Sequence, residues 1–139
     1  MIDRSDRAVE FFKSGLNCSQ SVFAAYAPDF GVDEKLAQRI AAAHGGGFGR
    51  LRELCGALAG AGMLAGLKFD DKMKVYETVQ EMARRFKDSN RSCICRELLG
   101  LDKAGEPNPK PEARTEGYYQ TRPCVELVRQ AAQIVAEVL

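Results

Sequence analysis

Apolar side chains recur along most of this chain at intervals of three and four residues, the period of a helix with one buried face. Val9 and Phe12 mark the inner face of a first helix that opens at Ser5 and closes at Gly15. Asn17 reads as the cap of a second helix, with Gln20 three residues on as its capping-box partner, and Pro28 and Gly31 end it. Asp33 caps a third, whose apolar positions Leu36, Ile40 and Ala43 lead to Gly45-Gly46-Gly47. After Phe48-Gly49-Arg50, a helix of small residues is expected from Leu51 to Gly66. Asp70 opens the longest helix, with the stripe Val75, Tyr76, Val79, Met82, Ala83 and Phe86. Ser92 caps a short helix that carries Leu98 and Leu99 and stops at Gly100. Thr121 caps the last one, with Pro123 at its first position. No strand pattern competes. The expectation is an all-α fold, a single compact bundle of about six helices over residues 1–139 with no significant sheet.

Between Leu101 and Thr121 the periodicity stops, and Pro107, Pro109 and Pro111 remove amide donors there. An irregular loop is expected over 101–121, the least regular and most mobile part of the chain. A length of 139 residues suits one domain, and a chain of that size needs no disulfide staples. A net charge of +1 supplies no field for nucleic acid or an anionic membrane. No apolar run approaches the roughly 20 residues of a spanning helix, so membrane insertion is not expected. The opening MIDRSDRAVEFF puts charges where a signal peptide needs its apolar core, which makes the cytoplasm the expected compartment.

In a reducing compartment the five cysteines are not expected to be permanent bridges. Three states stay open: buried thiols, redox-active thiols and metal-bound thiolates. Cys18 directly follows the cap Asn17, Cys124 directly follows Pro123, and Cys93 and Cys95 both follow Ser92. Unpaired amides and the helix dipole at such positions favour thiolate over thiol. Cys55 is placed inside its helix, followed by Gly56, Gly60 and Gly62, where missing side chains permit close approach of another helix or a cofactor. Each of these four thiols shares a face with apolar residues: Cys18 with Val22 and Tyr26, Cys55 with Leu51, Leu54 and Leu58, Cys95 with Leu98 and Leu99, Cys124 with Val128, Ala131 and Val135. Cys93, two residues from Cys95, is turned roughly 200° away and reads as the spare. With no C-x-x-C pair and one histidine, the spacing does not favour zinc, although four thiolates from distant helices can hold a metal or an iron–sulfur cluster. The glycine run at 45–49 lacks the lysine and serine of a phosphate loop and follows no strand. His44 reads as a helix-end residue, and Tyr118 and Tyr119 as packing residues or a cover over the thiols.

The segments Asn17-Cys18-Ser19-Gln20-Ser21-Val22, Cys55-Gly56-Ala57-Leu58-Ala59-Gly60, Cys95-Arg96-Glu97-Leu98-Leu99-Gly100 and Cys124-Val125-Glu126-Leu127-Val128 together resemble the C-GCAxxG-C-C family of small bacterial and archaeal proteins. That resemblance implies a helical domain with redox chemistry and four defining cysteines, here Cys18, Cys55, Cys95 and Cys124, with Cys93 an addition. The leading expectation is a thiol redox protein working by dithiol/disulfide exchange or electron transfer, with Cys18 or Cys124 attacking and Cys55 resolving. Its site comprises the four thiols supported by Asn17, Gly56 and Gly60, it requires no cofactor, and its redox partner is not legible. The alternatives are a four-thiolate site for zinc or an iron–sulfur cluster, and an interaction protein with inert core cysteines. The first two readings require at least three of the four cysteines to gather at one spot.

Overall fold

The computed structural model describes residues 1–101, 103 and 105–139. Helices run over α1 (Ser5–Lys13), α2 (Cys18–Tyr26), α3 (Glu34–Ala41), α4 (Gly56–Lys68), α5 (Lys72–Asn90), α6 (Cys95–Leu98), α7 (Glu116–Thr121) and α8 (Cys124–Val138), with 3-10 turns at Ala27–Phe30 and Ala42–His44. No strand forms among the described residues; a single antiparallel bridge joins Leu54 and Ile94. The fold is all-α, as the periodicity implies. No described helix is long and apolar enough to cross a membrane.

Helix α2 sits at the centre, against α1, α3 and α4, while α8 packs on α1, α4 and α5. Its phenol-bearing end locks three parts of the chain together. The buried Tyr26 hydroxyl donates to the Ala132 carbonyl at 2.7 Å and accepts from the Arg4 amide at 2.9 Å. Substituting Tyr26→Phe is expected to cost about 1–3 kcal/mol, because it removes a buried hydrogen bond to Ala132 and a part-buried one from Arg4. Urea unfolding read by circular dichroism measures this, and an unchanged midpoint would contradict it. Close approach of α2 and α4 needs Gly60, since a Cβ there would lie 2.8 Å from the Ser19 carbonyl oxygen.

Several local expectations are corrected. In α3 the bulky residues face outward: Leu36 and Ile40 are 49% and 47% exposed, and the buried pair is Ala37 and Ala41. Only methyl-sized side chains fit where α3 lies close to α2. Tyr76 and Val75 on α5 likewise escape burial, and Thr78, Met82 and Phe86 form its inner line. The helix expected from Leu51 begins instead at Gly56. Upstream of it, Cys55 donates its amide to Cys93, and Glu53 and Arg52 accept from the amides of Cys95 and Arg96. Those backbone pairings across the chain replace the intrahelical ones. In the expected loop over 101–121, Thr115 caps α7, which occupies Glu116–Thr121. Asp102 and Ala104, also within that expected loop, lie outside the described residues.

Candidate functional site

Four pieces of local structure set the site. At the start of α2 the capping box is present: Asn17 Oδ1 accepts from the Gln20 amide at 2.9 Å, and Gln20 Oε1 accepts from the Asn17 amide at 3.0 Å. Asn17 Nδ2 also donates to the Ala42 carbonyl, which ties the beginning of α2 to the end of α3. A Cβ on Gly45 would fall 2.4 Å from the Asn17 side chain, so this join requires glycine. Cys18, the first residue of α2, is positioned by that clamp.

The second piece is the turn Gly45–Phe48. It closes helix-like hydrogen bonds, but its hand is reversed: Gly46, Gly47, Phe48, Gly49 and Arg50 have φ of 63°, 69°, 66°, 59° and 67°. A left-handed run of this length costs energy at Phe48 and Arg50, on the order of 1–2 kcal/mol each. Contacts on both sides compensate. The Phe48 ring lies 5.3 Å from that of His44, and the amides of Arg52 and Glu53 donate back to Gly46 and Gly47. Gly47 permits a close approach to the site, since a Cβ there would come within 2.6 Å of Cys95 Cβ.

The third and fourth pieces are the helix starts at Cys95 and Cys124. Ser92 accepts from the Ile94 amide and donates to Glu97, so Ser92 does organise this turn, although Ile94 is the residue at the cap. Pro123 takes the cap position of α8 instead of the first helical one, and Cys124 is the first helical residue. Cys55 caps α4 instead of lying inside it. All four family-pattern cysteines therefore stand at helix starts.

They open on one cavity of about 400 Å³, whose wall includes Cys18, Cys55, Cys95 and Cys124 together with Asn17 and Gly56. Gly60 is outside it and acts through the α2–α4 crossing. Cys93 is outside as well, with its thiol donating to the Ala83 carbonyl at 3.6 Å. The sequence did not single out the cations of this wall: Arg50, Arg52, Arg114 and Arg122, accompanied by the carboxylate Glu112. Tyr118, read as a possible cover, lines the cavity, and its ring packs 6.5 Å from Phe12. Isolated arginines in a chain of net charge +1 look like solvated surface, so no sequence signal marked them.

The thiols differ sharply in acidity. Cys124 is drawn down from 9.0 to about 7, first by the Cys18 thiol acting as donor toward it, against the cost of burial, and further by Tyr118, Arg122 and Arg114. Cys18 is pushed well above its ordinary value, by Cys124 first and burial second. Burial drives Cys55 up to about 12 and raises Cys95, although Arg52 Nη1 donates to the Cys95 sulfur at 3.8 Å and opposes the shift. The site thus pairs a thiol drawn toward ionisation near neutral pH with one that keeps its proton. Among the described residues, no three Cys, His, Asp or Glu side chains stand close enough together to hold a metal ion.

A family model described as "Putative redox-active protein (C_GCAxxG_C_C)" matches residues 16–138, nearly the whole chain. No curated protein and no solved structure matches it.

Proposed function

Because the chain belongs to the C_GCAxxG_C_C family, a family of redox character, we propose that it carries out dithiol/disulfide exchange in the cysteine-lined cavity, with Cys124 attacking and Cys18 resolving. The observation that carries this reading is the pairing of an acidified Cys124 with a proton-retaining Cys18 on a wall shared by all four cysteines. Thiolate is the nucleophile, and a thiol whose pKa lies near ambient pH attacks best.

The Cys124 thiolate attacks one sulfur of a disulfide substrate and expels the other as thiolate. Cys18 passes its proton to that departing thiolate and attacks Cys124 Sγ, releasing the second half of the substrate. Two electrons leave the protein, and a Cys18–Cys124 disulfide remains. An external dithiol returns the pair to its reduced form. Cys55, which the sequence suggested as resolving thiol, is a poorer choice because Cys124 ranks last among the influences on it, whereas Cys18 is the group that acts most strongly on Cys124. Cys95, beside Arg52, extends the same wall.

Mild oxidation with a small disulfide is expected to remove two of the five free thiols and leave one cross-linked peptide joining Cys18 to Cys124. Thiol titration and peptide mapping by mass spectrometry measure both. Retention of all five thiols, or a bridge confined to Cys93, would defeat the reading.

A further inference from the structure

The thiol cavity carries more positive charge than its chemistry as an electron store requires. Among the described residues, four arginines share its wall with a single carboxylate. Arg114 is engaged without any carboxylate among the described residues: it donates to the Phe12 and Leu16 carbonyls at 2.6 and 2.8 Å and lies 4.0 Å over the Phe12 ring. The other three converge on Glu112. Its Oε1 lies 2.5 Å from Arg122, 3.5 Å from Arg52 and 3.7 Å from Arg50. One carboxylate oxygen thus sits among three guanidinium groups, a geometry suited to carboxylate recognition.

The cations belong to the fold, and the carboxylate does not. The side chains of Arg50, Arg52 and Arg122 are 22%, 14% and 21% exposed, against 39% for Glu112. Arg50 and Arg52 project from backbone held in the left-handed region, and Arg122 lies two residues before Cys124. Glu112 comes instead from the proline-rich strap of residues 105–114. Among the described residues no backbone–backbone hydrogen bond ties that strap to the rest of the protein. Pro107, Pro109 and Pro111 have no amide to give. The strap is fastened by arginine side chains: Arg50 donates to the carbonyls of Asn108 and Lys110, and the arginine trio grips Glu112. Pro109 and Pro111 also line the cavity, so the strap lies across it.

We propose that Arg50, Arg52 and Arg122 form a carboxylate subsite beside the reactive thiols, that Glu112 fills it as an internal stand-in, and that the substrate is a small disulfide bearing a carboxylate, which displaces Glu112 and lifts the strap. This deepens the exchange reading and rests on it. A carboxylate in the subsite places the substrate within the same cavity as Cys124, and the arginines offset the negative charge of the thiolate and of the departing thiol. A neutral disulfide has nothing to exchange for Glu112 and gains nothing from the three arginines.

The charge preference is read by alkylating the reduced, full-length protein with iodoacetate and, separately, iodoacetamide, and following modification of Cys124 by mass spectrometry. The ratio of the two rates, divided by the same ratio for mercaptoethanol, removes intrinsic reactivity and thiolate fraction. A normalised ratio of about ten or more in favour of iodoacetate is expected, falling toward one as salt rises to about 0.5 M. Substituting Glu112→Gln should raise the ratio severalfold further, and Arg122→Gln should lower it. Dithiodiglycolate, a carboxylate-bearing disulfide, should oxidise the protein faster than bis(hydroxyethyl) disulfide, each rate normalised to mercaptoethanol. A normalised ratio near one in the unaltered protein, with Cys124 reactive toward iodoacetamide, would overturn the carboxylate subsite and leave disulfide exchange standing. A Cys124 inert to both reagents, with no disulfide formed, would overturn the exchange reading and the subsite with it. An E112Q variant that folds normally by circular dichroism and keeps the ratio unchanged would remove Glu112 from the role of stand-in.

Discussion

Alkylation of the reduced protein should rise with a midpoint near pH 7, and Cys124→Ser should abolish that phase. The midpoint is set by the Cys124 thiol, lowered from 9.0 to about 7 by Cys18, Tyr118 and the neighbouring arginines against the opposing effect of burial. A depressed acid pKa favours the thiolate, so reactivity is present above pH 7 and is lost as pH falls through it. At neutrality about half of Cys124 is thiolate, against about one part in a hundred for an unperturbed thiol at 9.0. The lower basicity costs intrinsic nucleophilicity, roughly eightfold over two pH units at a Brønsted slope near 0.45. The gain in thiolate wins by about sixfold. Cys18, Cys55 and Cys95 are all shifted upward and hold their protons at this pH. The serine variant is therefore expected to lose about tenfold or more in labelling rate near pH 7, with the residual reactivity titrating at higher pH. Time courses with iodoacetamide from pH 5 to 10, mapped peptide by peptide, supply the test. An unchanged rate and midpoint in the variant would show that Cys124 is not the reactive thiol.

Two glycines of α4, six residues apart, should respond to substitution with opposite signs. Gly60 meets the Ser19 backbone: its added Cβ would lie 2.8 Å from the carbonyl oxygen and 3.3 Å from Cα. Helix propensity favours alanine over glycine by about 1 kcal/mol, but a backbone neighbour cannot rotate away as a side chain would, so overpacking prevails. Gly60→Val should cost about 3 kcal/mol and lower the melting temperature by roughly 10 °C. At Gly66 nothing lies within 4 Å of the added Cβ, so Gly66→Ala keeps the propensity gain and should stabilise by about 0.5–1 kcal/mol. Thermal unfolding of both variants decides the matter. The Gly60 variant has a functional consequence too: moving α4 away from Ser19 displaces the start of α2, where Cys18 sits. Its Cys18–Cys124 cross-link should form more slowly than in the unaltered protein, and an equal rate would separate the crossing from the site.

Legibility in the sequence followed the range of the interactions involved. The Asn17–Gln20 capping box and the Asp33 cap were readable because the partners lie within four residues and a helix start has few ways to satisfy its amides. The α3 stripe misled because Leu36 and Ile40 have helical spacing, while the space beside α2 admits only Ala37 and Ala41. Cys55 was misplaced because Leu51–Leu54 have good helix formers among them, yet their backbone is committed to residues 93–96 on a distant part of the chain. No local pattern announces such a pairing.

The sequence by itself determined the all-α class, the family, and the four cysteines worth following, since periodicity, caps and the C-G-A-x-x-G segment are properties of short stretches. Tertiary structure alone decided that these cysteines share one wall, that Cys18, Tyr118, Arg122 and Arg114 draw the Cys124 thiol down, and that Arg50, Arg52 and Arg122 surround Glu112 beside them. Acidity depends on what lies within a few ångströms of a sulfur. Those neighbours arrive from helices that only the folded chain brings together.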